Sequence, residues 1–327
     1  MIGTDARPDG RALRGMKRAT FAALASAAVA AATRGAEAQT STPLRVALIP
    51  IESAAEVYYA KELGAFAKAG LDVELQPLQN GQAIAAAVAG GAAEIGYSTV
   101  PPLAVAHSKG IAFTIVAGAA LSIASEPFAL VAVNADSPIK TPKDLTGKTV
   151  GIIGLGTVAD FGTRAWIDRN GGDSTAVKFA ELPAPAMPAA LAAGRIDAAL
   201  LVEPYLTQGR AQHDRILGNP MDGVGKEFVS SVWFSTPAWA GAHPEAVKRF
   251  AAVMYDTARW AAQNPARSVE ILAQYTKVDP GSLAGITRVR YTDRLTAAMI
   301  APVIDVSAKY GKFAAFPAGE LLYTPSR

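Results

Sequence analysis

Residues 44–101 read LRVALIPIESAAEVYYAKELGAFAKAGLDVELQPLQNGQAIAAAVAGGAAEIGYSTVP, and the order of patterns in them recurs from residue 148 to residue 205. In the first copy an apolar strand (RVALIP) leads to a helical stretch, a second strand (LDVELQPL), an Ala-rich helix, Gly91, Glu94 and a strand that breaks at Pro101. In the second copy TVGIIG leads to a helix, then VKFAELP, an Ala-rich helix, Gly194, Asp197 and a strand that breaks at Pro204. Aligning Gly91 with Gly194 sets Glu94 opposite Asp197 and AIAAAVAGG opposite PAALAAG. Strands alternating with helices predict parallel pairing. Two such units in one chain predict two α/β lobes with a ligand held between them.

Outward from this repeat, a chain of 327 residues, half of them hydrophobic, is long enough for two cores. Residues 1–38 stand apart. Arg11, Arg14, Lys17 and Arg18 precede an uncharged, Ala-rich stretch, and Ala36-Glu37-Ala38 has the small-x-small form of a cleavage site, so a secretory signal peptide removed after Ala38 is expected. The apolar stretch is short and alanine-rich for a membrane span. Met16, followed by Lys17-Arg18, makes an equally good start, which leaves the start codon open between Met1 and Met16. Lys17-Arg18 with Phe21 departs from a twin-arginine signal, and the general secretion route is favoured.

The leader holds six of the 31 basic and three of the 28 acidic residues, leaving 25 of each sign and no net charge in the rest. The basic character of the whole chain therefore belongs largely to the leader and makes no case for nucleic acid or anionic membrane partners. With no cysteine in the chain, disulfides, thiolate metal sites, cysteine nucleophiles and a lipidated N-terminal cysteine are excluded. The expected location is the periplasm, with no cofactor and no metal.

Gly and Pro divide the remainder. A helix is expected over 54–69, with Val57, Ala60, Leu63 and Ala67 on its buried face and Gly70 as its stop. Asn80-Gly81 opens a helix over 82–89. The apolar run FALVAV, 128–133, predicts a strand crossing from the first lobe to the second, and FVSSVWFS, 228–235, a strand carrying the chain back. Helices are expected over 244–263, 265–275 and 294–310, packing on the first lobe. The organisation is then residues 39–130 plus 232–327 as a discontinuous lobe one and 131–231 as lobe two.

The sharpest local motif is Gly154-x-Gly156-x-x-Ala159, after a strand and opening a helix, with Glu181 at the end of the next strand. That is close to a dinucleotide fingerprint and locally resembles the cofactor domain of 2-hydroxyacid dehydrogenases. Its physical content is narrower: a tight turn presents backbone N–H groups at a helix N-terminus, which holds any small anion or polar group. The first lobe repeats the topology without these glycines, so cofactor binding is the lesser reading. Catalytic constellations are thin. His107, His213 and His243 are not spaced as metal ligands on one helix face, and no Gly-x-Ser-x-Gly elbow is present.

Polar residues do collect at the C-terminal ends of predicted strands, where open α/β sheets bind ligands. These are Glu52-Ser53, Asn80-Gly81 and Ser98-Thr99 in the first lobe, and Gly156-Thr157 and Glu203-Pro204 in the second. Ser53, Asn80 and Thr157 have a plainer alternative each, as the N-cap of the following helix. Among aromatics, Trp233 on the returning strand and Phe161 one turn beyond Thr157 are candidates for the cleft wall, while Tyr58, Tyr59 and Tyr97 are read mainly as core.

The stretches GLDVEL, SPIKTPKDLTGKTVGI, AALAAGRIDAALLVEPY and VKRFAAVMYDTARWAAQNP, with the 44–101 segment, resemble the periplasmic solute-binding proteins of ABC importers for nitrate, sulfonates, taurine and thiamine-pyrimidine precursors. The resemblance spans essentially the whole chain after the leader. It implies a type II-like bilobal α/β fold, two mixed sheets flanked by helices with a ligand cleft at the hinge, closing over one small solute. It also implies docking on an inner-membrane permease served by an ATPase, as a monomer without enzymatic activity. Carried over by position, Glu52, Ser53, Asn80, Gly81, Ser98, Thr99, Gly156, Thr157 and Glu203 are the implied ligand contacts. Val202 stands where relatives often carry a tryptophan, which removes an aromatic wall there. Helix N-termini at Asn80 and Thr157 favour a negative or electron-rich group, whereas Glu52 and Glu203 oppose a strong anion unless turned away or paired. No Lys or Arg falls among these positions, which points to a small organic solute of sulfonate, taurine-like, aromatic or pyrimidine type rather than nitrate. Competing readings are an enzyme on the same fold, the nicotinamide-dependent dehydrogenase of the 154–159 motif, and a sensor subunit sharing every one of these features.

Overall fold

The computed structural model describes Gly3 and residues 41–325, apart from His213 and Ala284. The expected signal peptide lies outside the described residues, Gly3 aside. Thirteen strands follow in order: β1 (Thr42–Leu48), β2 (Leu71–Pro77), β3 (Ile95–Thr99), β4 (Thr114–Gly118), β5 (Ala120–Ile123), β6 (Ala129–Asn134), β7 (Thr149–Ile152), β8 (Lys178–Glu181), β9 (Ala198–Val202), β10 (Asp214–Gly218), β11 (Glu227–Val229), β12 (Ser231–Ser235) and β13 (Arg290–Tyr291).

They form two five-stranded sheets of one plan. The first has the order β2-β1-β3-β12-β4 and the second β8-β7-β9-β6-β10. In each, the first three strands are parallel and the fourth and fifth join antiparallel. The fourth strand is what crosses over: β6 enters the second sheet directly from the first lobe, and β12 returns to the first from the second. The central strands β3, β9 and β12 and the edge strand β4 are buried almost throughout. Sheets covered by helices on both faces select such continuous apolar runs rather than alternation.

Between the lobes the two crossing segments pair with each other. β11 lies antiparallel to β5 (Phe228 opposite Ser122), and β13 takes the other edge of β5. The hinge is thus a three-stranded ribbon, with Tyr291 brought from near the C-terminus.

The helix expected over 54–69 is broken. A 3-10 turn over Glu52–Ala54 leads to α1 (Glu56–Glu62), then Gly64 adopts φ 65° and α2 (Ala65–Lys68) restarts in a new phase. Phe66 is consequently the buried residue of α2 and Ala67 is exposed. The remaining helices flanking the first sheet before the crossing are α3 (Gly81–Ala89) and α4 (Val100–Ser108). Lobe two adds α5 (Val158–Arg169), α6 (Met187–Ala192) and α7 (Tyr205–Ala211). The C-terminal region supplies α8 (Pro237–Ala242), α9 (Pro244–Gln263), α10 (Pro265–Thr276) and α11 (Ala297–Gly311).

α9 covers the first sheet, with Phe250 against Phe66 and Trp233 at ring separations of 5.9 and 5.8 Å. α11 does more than pack on the first lobe: Tyr310 donates to Asp168 of α5 at 2.8 Å and its ring stacks on Phe161 at 6.3 Å. It therefore braces one side of both lobes.

Candidate functional site

The C-terminal ends of β1, β3, β7 and β9 open onto one cavity of about 460 Å³. Ser53, Tyr97, Ser98 and Thr99 face it from the first lobe, the 153–159 loop from the second, and Phe128, Ala129, Ser230 and Ser231 from the crossing segments. Both lobes and both crossings therefore share one wall.

Its polar groups are held by short local bonds. Ser53 Oγ lies 2.7 Å from the Tyr97 hydroxyl, which fixes a pair of hydroxyls on the floor. Ser98 Oγ donates to the Thr99 carbonyl at 2.8 Å, and Thr157 Oγ1 to the Gly154 carbonyl at 2.7 Å. Thr99 Oγ1 accepts from the Val158 N–H at 3.4 Å, a bond from one lobe to the other at the base of the cleft.

The two helix N-termini at the cavity differ. Asn80 Oδ1 accepts from the Ala83 N–H at 2.9 Å, so Asn80 is the N-cap of α3 and does not line the cavity, while Gly81 and Gln82 do. Among the described residues nothing accepts the Gly81 or Gln82 N–H, and these remain open donors at a positive helix end. At α5 the Gly156 N–H is taken by Asp160 Oδ2 at 2.8 Å, and the same carboxylate pairs with Arg164 at 2.5 Å. That helix end already carries its own anion.

Of the residues expected from sequence, the fold gathers Ser53, Gly81, Ser98, Thr99, Gly156 and Thr157 around the cavity. It turns Glu52, Glu203, Trp233 and Phe161, like Asn80, away from it. Glu52 is fully buried and pairs with Arg288, whose Nη2 also donates to the Tyr59 hydroxyl at 3.0 Å. The Tyr291 hydroxyl donates to the Glu52 carbonyl. Burial pushes the Glu52 carboxyl up to about 7 against the pull of Arg288. Glu203, raised by burial, accepts from Thr207 N–H and Oγ1 at 3.0 Å each and from the Thr287 N–H at 3.3 Å. Segment 287–291 thus clamps an acid of each lobe behind the cleft. Trp233 lies in the core with its Nε1 donating to Glu56, whose carboxyl is pushed well up by burial with no cation beside it. Phe161 is spent on Tyr310.

The acid of the dinucleotide-like motif is also committed. Glu181 Oε2 accepts the Leu155 N–H at 3.1 Å, tying the glycine loop down where a nucleotide reading needs that carboxylate facing a ribose. The glycines serve a tight loop on the cleft wall, with Gly156 at φ 71°.

Sequence reasoning missed Gln82, Met221, the Ser230-Ser231 pair and Lys109, all of which line the cavity. Lys109 had a legible signal: Pro102, Val105 and Lys109 follow Thr99 at helical spacing, so one face of α4 and the residue that caps its C-terminus reach the cleft. Ser230 and Ser231 had none, because only the crossing of the chain brings them there.

The family model described as NMT1/THI5 like matches residues 52–268. The formylaminopyrimidine-binding protein of Halalkalibacterium halodurans is 27% identical over 219 residues, 66% of this chain and 64% of that protein's length. The taurine-binding periplasmic protein of Escherichia coli is 26% identical over 236 residues, 70% of each chain. The crystal structure of the periplasmic aliphatic sulphonate binding protein SsuA from Escherichia coli superposes with a TM-score of 0.69 at 17% identity, covering 87% of this chain and 93% of that one, and so shares the fold.

Proposed function

Because the chain belongs to the NMT1/THI5-like family, we propose that it is the extracytoplasmic solute-binding component of an ABC importer, capturing a small organic solute between its lobes by hinge closure. One observation carries this reading: two lobes of the same strand plan bring hydroxyl residues at matching positions, Ser53 and Thr157, to the lining of one cavity that the crossing segments also line. A cleft built from two halves and a ribbon hinge is suited to close on what it binds.

The contacts assigned are Ser53, Gly81, Ser98, Thr99, Gly156 and Thr157. The lobes run over 39–130 plus 232–327 and over 131–231. The protein works as a monomer in the periplasm after removal of residues 1–38, delivers its solute to an inner-membrane permease with its ATPase, and performs no chemistry on it. Relatives named for formylaminopyrimidine and taurine support an organic solute. The inward pairing of Glu52 and Glu203 removes the objection to a negatively charged one.

A thermal-shift panel of sulfonates, taurine, nitrate, aromatic carboxylates, pyrimidines, flavins and NAD(H) tests this. A ligand at a hundred times its dissociation constant stabilises by about 2.7 kcal/mol. At roughly 2–4 °C per kcal/mol for a domain of comparable size, several degrees are expected for one organic class. A shift with NAD(H) alone overturns the proposal in favour of a dehydrogenase.

A further inference from the structure

Lys109 is the one charged side chain on the cavity wall among the described residues, and no acid pairs with it there. It is exposed, directly after α4, whose other end meets the cavity floor at Ser98 and Thr99. Pro102 and Val105 lie between on the same face. Lys109 is ten positions beyond Thr99, and at 1.5 Å per residue its backbone stands about 15 Å along the wall from the hydroxyl-lined floor. The wall thus has hydrogen-bonding groups at one end, apolar surface along its length and a cation at the other.

Other charge is kept out of this space. Glu52 and Glu203 are paired behind it, and Asp160 neutralises the α5 N-terminus with Arg164 beside it. The cavity, about 460 Å³, lies in the range that buries a drug-sized ligand and is generous for an inorganic anion or a short zwitterion.

Resting on the solute-binding reading above, the geometry points to an elongated organic monoanion as the solute. One end bears a hydrogen-bonding group seated on the Ser53, Tyr97 and Ser98 floor, and the other bears a carboxylate or sulfonate held by Lys109. Lys109 is then the residue that selects for charge at the far end.

The test is calorimetry on the full chain with ω-hydroxyalkanoates of six to ten carbons, the matching ω-hydroxyalkanesulfonates, and the methyl esters of the acids, with taurine and short alkanesulfonates as probes that reach one end alone. An acid of the right length is expected to bind about tenfold tighter than its ester, and less tightly as salt rises. Lys109→Gln should weaken the acid by roughly five- to tenfold and leave the ester unchanged, with Lys109→Arg retaining the preference. Acid and ester binding alike, or a preference that survives Lys109→Gln, overturns the role of Lys109. The acid-against-ester comparison needs no variant, so a folding defect cannot mask the answer. Short sulfonates binding while every long acid fails overturns the elongated solute and leaves the importer reading in place. Silence from all of the probes counts against both.

Discussion

The two lobes repeat one strand plan and differ in what they do with matching acids. In each first strand one residue, Arg45 in the middle of β1 and Thr149 at the start of β7, gives its backbone N–H to the acid that precedes the third strand: Glu94 at 2.6 Å and Asp197 at 2.8 Å. The return bonds match as well, Glu94 N–H to the Arg45 carbonyl at 3.0 Å and Asp197 N–H to the Thr149 carbonyl at 2.9 Å. Gly91 and Gly194, three residues ahead of each acid, both adopt positive φ. This closure of the sheet is a backbone requirement, so both copies keep it.

Eleven residues beyond Arg45 and Thr149 stand Glu56 and Asp160, and here the lobes part. Asp160 caps its own helix and pairs with Arg164. Glu56 has no cation, only the Trp233 indole, on a helix covered by α9 and α10. Seven residues beyond the same two positions, Gly156 lines the cleft and Glu52 is buried beneath Arg288. The C-terminal segments packed on lobe one bury Glu52 and Glu56 in its interior, whereas the equivalent loop of lobe two keeps Gly156 on the cleft.

That contrast breaks most forcibly at Arg288. Arg288→Ala leaves the Glu52 carboxylate buried without its partner, an expected loss of about 3 kcal/mol or more, seen as a drop on the order of 10 °C in thermal unfolding. The loss should shrink in acid, where protonation of Glu52 relieves it. A change within error would show that the C-terminal clamp does not hold lobe one's acid in place.

A pH series sharpens the Glu56 side. Its folded carboxyl titrates well above the unfolded value near 4.5, so the folded state binds the extra proton. Its contribution to stability is fully present below about pH 4.5 and is lost as pH rises through the raised folded value. Glu56→Gln should flatten the fall in urea-unfolding free energy above pH 4.5. An unchanged slope would mean that Glu56 is ionised in the fold.

The smallest effects belong to the shared closure. Glu94→Ala removes two hydrogen-bond partnerships, with the Arg45 backbone and guanidinium, for about 1–2 kcal/mol, and Asp197→Ala removes one exposed bond for about 1 kcal/mol or less. Equal costs in chemical denaturation would show that the Arg45 guanidinium adds nothing.

Much of this was legible in the residues. The repeat, the Gly91–Gly194 alignment and the opposition of Glu94 to Asp197 are local patterns, and local backbone chemistry enforces them. Ser53 and Thr157 were visible for the same reason, because strand ends and helix starts are written in short-range periodicity. The helix over 54–69 was misread at Gly64, where a left-handed residue resets the phase without interrupting the apolar spacing.

The direction in which a side chain faces was another matter. Glu52, Glu203 and Trp233 share their strand ends and crossings with true cleft residues. What separates them is Arg288, Thr287 and Glu56, which lie 236, 84 and 177 residues away in the chain. The sequence by itself determined the strand plan, its duplication and the strands that cross between lobes, because these follow from periodicity and backbone hydrogen bonding over a few residues. Only the tertiary structure decided which acids are paired inside, which serines meet at the floor and that Lys109 reaches the wall, because burial and charge pairing depend on groups that folding alone brings together.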